Sequence, residues 1–309
     1  MDEVKKIGIL GIGGVGSLLA SRLSITKHQL YCLGSKESNL HIQENGIQME
    51  SIFYGNSKFF PRSIKEVQNL DLLFLAVKGI NLISSLKEYK NFFNENTILV
   101  SLLNGMDYRY LIRKNFKSKI IIGSIGALEI FIGKDRVVIH KSNQEPKVEL
   151  ASCEKNIIND LLFIKNLLND VGLIAECKDN ENLVIWRKLA RLTVISTITS
   201  MYDSNIGFAR TNDSSRKLMV KLINEILMIT SKINLKICSD EIFSTIESLP
   251  YNLMTSMQRD IMSKKPSEIE FILKAPLEFG EKIGLTLPVM KYCYKFLINK
   301  IENGLNNET

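Results

Sequence analysis

A short apolar run, Ile7-Gly8-Ile9-Leu10, breaks into Gly11-x-Gly13-x-x-Gly16 and then into helical spacing at Val15, Leu18, Leu19 and Leu23. Strand, glycine turn and helix in that order are the sequence form of a dinucleotide site. Gly11 permits the tight turn, Gly13 lets the backbone approach a pyrophosphate with no Cβ in the way, and Gly16 lets the helix pack on the strand. With Gly14 and Val15 they would seat the pyrophosphate on the positive helix end, where unpaired N–H groups point outward. Glycine-rich turns also arise for structural reasons alone. Here the flanks agree, because a second apolar run, Leu30-Tyr31-Cys32-Leu33, follows at the right remove.

The first half of the chain continues to alternate. Ser63-x-x-Glu66 has the form of a capping box for a short helix, and three runs, 72–77, 97–102 and 119–123, are apolar enough for parallel strands buried on both faces. Val137 to His140 and Val148 to Leu150 look like later strands, and Ile157 to Leu168 like a helix ended near Gly172. Such alternation predicts right-handed βαβ crossovers and a doubly wound sheet. From Asn182 onward the periodicity is helical, with stops at Gly207, Pro250, Pro266, Gly284 and Pro288. Helices are expected over 182–200, 214–232, 266–282 and 288–303, followed by an Asn-rich tail. The expected fold class is therefore α/β, an N-terminal Rossmann domain over 1–178 with an all-helical domain over 179–309.

The 309 residues suffice for two ordinary domains, and 45% hydrophobic with 24% charged residues is a soluble, globular balance. The net charge of +7 could suggest nucleic acid, but the cations are scattered among acids and not interleaved with aromatics. A basic surface with one small anionic ligand is the more economical reading. Five cysteines, never in a C-x-x-C pair, argue for a reducing, cytoplasmic compartment and against a zinc site. Five glycines between positions 8 and 16 count against reading the N-terminus as a signal peptide, and no run of about 18 apolar residues predicts a membrane span.

A nicotinamide cofactor implies hydride transfer, and a ketone receiving hydride also needs a proton donor. Of the three histidines, His28 lies just ahead of the second strand and His41 in the adenosine half, neither placed to reach the nicotinamide, and His140 falls in an edge segment where a structural role is the default. That leaves Lys188, in the largely apolar Trp186-Arg187-Lys188-Leu189-Ala190. A lysine on a helix facing a cleft is partly desolvated, which lowers its pKa and makes it a better acid, although a lysine can also simply snorkel into water.

In its arrangement the chain resembles the ketopantoate reductase family, the 2-dehydropantoate 2-reductases. The resemblance spans nearly the whole chain: the glycine turn, Lys78 after the third strand, Asn104-Gly105-Met106 after the next, Trp186-Arg187-Lys188-Leu189, Thr199, Ser256-Met257-Gln258-x-Asp260 and Ser267-Glu268-Ile269-Glu270. It implies NADPH-dependent reduction of a 2-keto acid to a 2-hydroxy acid, with 2-dehydropantoate as substrate and a homodimer formed through the helical domain. By position it implies that Lys188 protonates the carbonyl oxygen, Asn104 sits near the nicotinamide ribose and the reacting carbonyl, Ser256 holds the substrate carboxylate, Glu268 binds a substrate hydroxyl, and Lys78 lies beside the cofactor's ribose and phosphates. As an alternative role, Glu268 would be a first-turn acid after Pro266 that meets the helix dipole.

Several positions depart from the family's pattern. Asparagines expected four and eight residues after Lys188 are Leu192 and Ser196, of which only Ser196 can still hydrogen-bond a substrate, and an expected Asn-Gly is Leu273-Lys274. At the end of the second strand the family's arginine is replaced by Ser35, with Lys36 beside it to supply charge; this favours NADP over NAD, whose ribose calls for an acid that Glu37 offers one turn late. Two other readings follow: a cofactor-binding regulator that lost its chemistry, and another β-hydroxyacid dehydrogenase.

Overall fold

The computed structural model describes residues 3–126 and 128–306, with side chains as far as 303. Two compact units emerge, Met1–Leu103 with Tyr108–Val184, and Asn104–Asp107 with Ile185–Thr309. The boundary expected at 178/179 precedes a helix, Glu181–Tyr202, whose first turn belongs to the first unit and whose remainder belongs to the second. The Asn-rich tail is helical as far as Asn306, and 307–309 lie outside the described residues.

Among the described residues the first unit is built on eleven strands, β1 (Lys6–Leu10), β2 (Gln29–Leu33), β3 (Ile47–Ser51), β4 (Ser57–Phe59), β5 (Leu72–Leu75), β6 (Ile98–Ser101), β7 (Ile120–Ile125), β8 (Ile130–Ile132), β9 (Val138–His140), β10 (Lys147–Ala151) and β11 (Ile174–Cys177). Its helices are α1 (Gly14–Leu23), α2 (Lys36–Asn45), α3 (Leu82–Glu88), α4 (Tyr108–Asn115) and α5 (Ile158–Asp170). Seven strands form one sheet in the order β11-β10-β7-β6-β5-β1-β2. It is parallel except where β10 meets β7. β5 and β6 are buried at every position, as their unbroken apolar runs require of strands covered on both faces. The strand order reverses at β1, which pairs with β2 on one side and β5 on the other. That switch point, outside the carboxyl ends of the strands, is where open α/β sheets bind ligands.

The sequence reading did not anticipate a second sheet, β4-β3-β9-β8, that packs on α1. Its strands are three to five residues long and only partly buried, too short for the period of two to stand out. The Val137–His140 run is thus in this sheet and not the main one. Within it Ser51 Oγ lies 2.9 Å from Nδ1 of the buried His140, and Tyr54 stacks on the imidazole, so this histidine is held structurally. Two further expectations change. The third strand stops at Leu75 rather than Val77, because the chain turns to meet the glycine loop, and Ser63 caps nothing, since only one 3₁₀ turn, Ile64–Glu66, follows it.

The second unit holds α6 (Glu181–Tyr202) from Ile185 onward, α7 (Ile206–Thr211), α8 (Asp213–Lys232), α9 (Ser239–Ser248), α10 (Ser256–Met262), α11 (Ala275–Lys282) and α12 (Pro288–Asn306). Gly207, expected to be a stop, lies inside α7, where a Cβ would strike the ring of Tyr251. Pro266 does not start a helix either. The helical path opens at Ile269 and runs through a π-turn, Glu270–Lys274, into α11. Thr193 of α6 donates to the Ile272 carbonyl at 2.6 Å, taking an acceptor out of the regular helical ladder. Among the described residues no helix is long and apolar enough to cross a membrane.

Candidate active site

In the first unit the glycine turn sits at the switch point of the sheet. Gly11 has φ +98°, and a Cβ there would meet the Val77 amide nitrogen, on the chain that leaves β5. A Cβ on Gly16 would strike the Gly11 carbonyl oxygen, so α1 can approach β1 this closely only with glycine at both positions. A Cβ on Gly13 would meet nothing within 4 Å, leaving open ground above the turn. The N-cap of α1 is Gly13, which has no side chain to cap the first amides of the helix, those of Gly14, Val15 and Gly16. Together these features fit a dinucleotide pyrophosphate.

Beyond β2, Ser35 caps α2, accepting from the Ser38 amide at 3.2 Å and donating to Ser38 Oγ at 3.0 Å. Lys36 and Glu37 are exposed on the first turn. Sequence reasoning missed Arg136, whose Nη2 donates to Ser38 Oγ at 2.8 Å and whose Nη1 lies 3.7 Å from Glu37. It comes from the β8–β9 turn, and no local signal links residues so far apart in sequence. Lys78 is half-buried just past β5 and accepts through its carbonyl from the Asn81 amide.

In the second unit Asn104 Nδ2 donates to Glu268 Oε2 at 3.0 Å, and Glu268 is buried at the head of the helical path. Gly105 makes this approach feasible: its φ is +98°, and a Cβ would press on Phe271 in the π-turn. Lys188 projects from α6, partly buried. Burial pushes it down to about 8 from the ordinary lysine value of 10.5, Arg191 adds to that shift, and the charge of Glu268 opposes it. Asn104, Glu268 and Lys188 thus form one electrostatic group. Arg191, one turn beyond Lys188, is the second residue that sequence reasoning passed over, although its helical spacing was visible.

The other expected site residues divide. Ser256 is exposed at the first position of α10, behind Thr255, which caps that helix and lies 3.2 Å from the Thr199 hydroxyl. Ser196 is fully buried, and its hydroxyl meets no hydrogen-bond partner among the described residues. Leu192 is partly exposed one turn after Lys188, whereas Leu273 is fully buried and serves the core. No group of three or more His, Cys, Asp or Glu side chains among the described residues is arranged to hold a metal ion.

Known proteins of similar sequence and fold show the family. The chain is 25% identical to the 2-dehydropantoate 2-reductase of Aquifex aeolicus, covering 95% of this chain and 96% of that one. It is 20% identical to the uncharacterized oxidoreductase YkpB of Bacillus subtilis, over 94% and 96% of the two chains. A solved ternary structure of D-mandelate dehydrogenase with NADH and anilino(oxo)acetate superposes with a TM-score of 0.87 at 22% identity, covering 96% of this chain and 98% of the other. Residues 7–152 match the family model for ketopantoate reductase PanE/ApbA and residues 180–301 the model for its C-terminal part. The chain belongs to the ketopantoate reductase family of oxidoreductases, as a divergent member.

Proposed function

We propose that this protein reduces a 2-keto acid to the 2-hydroxy acid with NADPH, and that 2-dehydropantoate is its substrate. The observation that carries the reading is the Asn104–Glu268 hydrogen bond beside a lysine whose ordinary charge is weakened. When bound, the nicotinamide supplies the hydride that forms the new C–H bond. Lys188 then gives its proton to the carbonyl oxygen, which completes the hydroxyl and leaves the lysine neutral. A pKa of about 8 keeps Lys188 protonated at neutral pH while making it a stronger acid than a free lysine. The Asn104 amide, held by Glu268, is assigned the same developing oxyanion, to which its second N–H would donate. Ser256, with the charge of Arg191, is assigned the substrate carboxylate. The glycine turn, Ser35, Lys36 and Lys78 are assigned the cofactor.

A second reading of the substrate rests on Leu192. A partly exposed leucine one turn from the proposed proton donor favours a keto acid with an apolar side chain, and the structural relative that carries an aromatic oxoacetate supports it. For the assembly we propose a homodimer, supported by the exposed Tyr292 and Phe296 at helical spacing on α12. Sedimentation over a concentration series tests this.

The deciding experiment follows NADPH absorbance with 2-dehydropantoate and a panel of aliphatic and aromatic 2-keto acids. Turnover of any one establishes the class and names the substrate. Tight NADPH binding without turnover would instead favour a cofactor-binding regulator, and turnover of only a 3-hydroxy acid in the reverse direction would favour another β-hydroxyacid dehydrogenase.

A further inference from the structure

Arg136 occupies an expensive backbone position. The β8–β9 hairpin closes through Asp135 at φ 54° and Arg136 at φ 58°, with the Val137 amide donating to the Lys134 carbonyl at 3.1 Å. Two successive positive φ values make a type I′ turn, which glycine and asparagine favour and arginine does not. A bulky residue kept at such a position invites a functional account. Its side chain supplies one: the guanidinium reaches out of the second sheet to α2, where Nη2 donates to Ser38 Oγ at 2.8 Å and Nη1 lies 3.7 Å from Glu37.

Those contacts lie just past the end of β2, where a dinucleotide's adenosine ribose is read. An acid in that position accepts from a free 2′-hydroxyl, and a cation there accommodates a 2′-phosphate. Ser35 and Lys36 alone make a poor cation site, since Lys36 is exposed and Ser35 is occupied with Ser38. Arg136 is one-third exposed and tethered to Ser38, so its planar fork is already oriented. Glu37, 85% exposed, is its carboxylate neighbour and can swing away into solvent.

We propose that Arg136 is the residue that selects NADP, binding the 2′-phosphate from the hairpin of the second sheet and leaving Glu37 for it. The assignment rests on the reading of the glycine turn as a nicotinamide dinucleotide site. It makes cofactor choice depend on a turn outside the main sheet, and it gives Ser38 the task of holding the guanidinium in place.

The test is equilibrium binding to the whole protein, with NADPH and NADH titrated by cofactor fluorescence and 2′,5′-ADP compared with AMP by calorimetry. Arg136→Gly removes the side chain while relaxing the backbone, so a folding defect is not the expected consequence. It is expected to weaken NADPH and 2′,5′-ADP by about 10- to 100-fold and to leave NADH and AMP within about twofold. Arg136→Lys is expected to keep part of the preference, and Glu37→Gln to strengthen NADPH slightly. An unchanged ratio of NADPH to NADH affinity in Arg136→Gly, or an equal loss of both, overturns the proposal while leaving the reductase reading intact. If the wild-type protein binds neither cofactor, that reading falls and this inference with it.

Discussion

The side-chain amide of Asn104 donates to Glu268 Oε2 at 3.0 Å, across 164 residues of sequence. An amide free to rotate would spend its donor on water. One fixed by a buried carboxylate presents a defined edge to whatever lies beside it, and a hydrogen bond to a charged group holds it with about 1.5–3 kcal/mol. Glu268 is therefore a positioning group for Asn104.

Asn104→Ala and Glu268→Ala are each expected to lower kcat/KM for the keto acid by roughly 10- to 100-fold, by loss of a charge-assisted hydrogen bond. If the two act as a pair, the double variant costs less than the sum, with a coupling of about 1 kcal/mol or more. Steady-state kinetics of the four proteins measure it. Strict additivity would mean that the bond is incidental to catalysis.

The depressed lysine gives a pH signature with a definite sign. The role of proton donor proposed for Lys188 requires it to be charged, so on that proposal kcat for reduction should fall as pH rises through about 8, while oxidation of the hydroxy acid should rise over the same range. Stability moves the other way. Between about 8 and 10.5 the unfolded chain binds the proton more tightly, so folding gains stability as pH rises across that window. Lys188→Met should abolish the kinetic limb, lower kcat by about 10²-fold or more, and stabilise the fold by roughly 1–3 kcal/mol at pH 7. Denaturant titrations at pH 7 and 10 alongside pH–rate profiles check both halves.

A buried ion cluster secures the first unit at the root of α6. Arg113 donates to both Glu181 oxygens, at 3.1 and 2.6 Å, and Arg109 approaches the same carboxylate at 3.6 Å while donating to Asn182. Burial alone would raise the Glu181 carboxyl, but Arg113 and the Cys153 amide outweigh it and hold it below its ordinary value. Its contribution is thus present above the usual carboxylate pKa and lost as pH falls through the lower folded value. Glu181→Ala should cost about 3–5 kcal/mol, because Arg109 would remain buried without its counter-charge. Thermal melts at pH 7 would detect it, and a loss under 1 kcal/mol would show that water reaches the cluster.

What the sequence made legible follows from periodicity and local chemistry. The glycine turn, the unbroken strands β5 to β7 and the long helices α6, α8 and α12 announce themselves within a window of about twenty residues. Lys188 stood out as a lysine in an apolar helix, and Asn104, Ser256 and Glu268 only through the resemblance to the ketopantoate reductases. What stayed hidden depends on distant partners. The second sheet has strands too short to show a period, the π-turn is set by Thr193 reaching the Ile272 carbonyl, and Arg136 meets Ser38 only because β8 and β9 pair over α1. Ser196 is an intermediate case. Its spacing from Lys188 suggested a shared face, yet packing has buried it completely.

Leu192 offers the sharpest test of substrate. It stands partly exposed one turn past Lys188, where the family pattern expects an asparagine. A leucine can only pack, so it gains from an apolar substituent and forfeits any hydrogen bond to a substrate hydroxyl. A site built to bond such a hydroxyl rejects the analogue lacking it far more strongly than an apolar surface rejects the hydroxylated form. The wild-type protein is therefore expected to reduce 2-dehydropantoate and its analogue without the hydroxyl with kcat/KM values within about tenfold of each other. Leu192→Asn should favour 2-dehydropantoate by a further factor of about 10 to 100, mostly through KM. Competition assays with the two keto acids measure the ratio directly. A strong preference for 2-dehydropantoate in the wild type would mean that another group, with Glu268 the first choice, already satisfies the hydroxyl. In that case the apolar-substrate reading is lost.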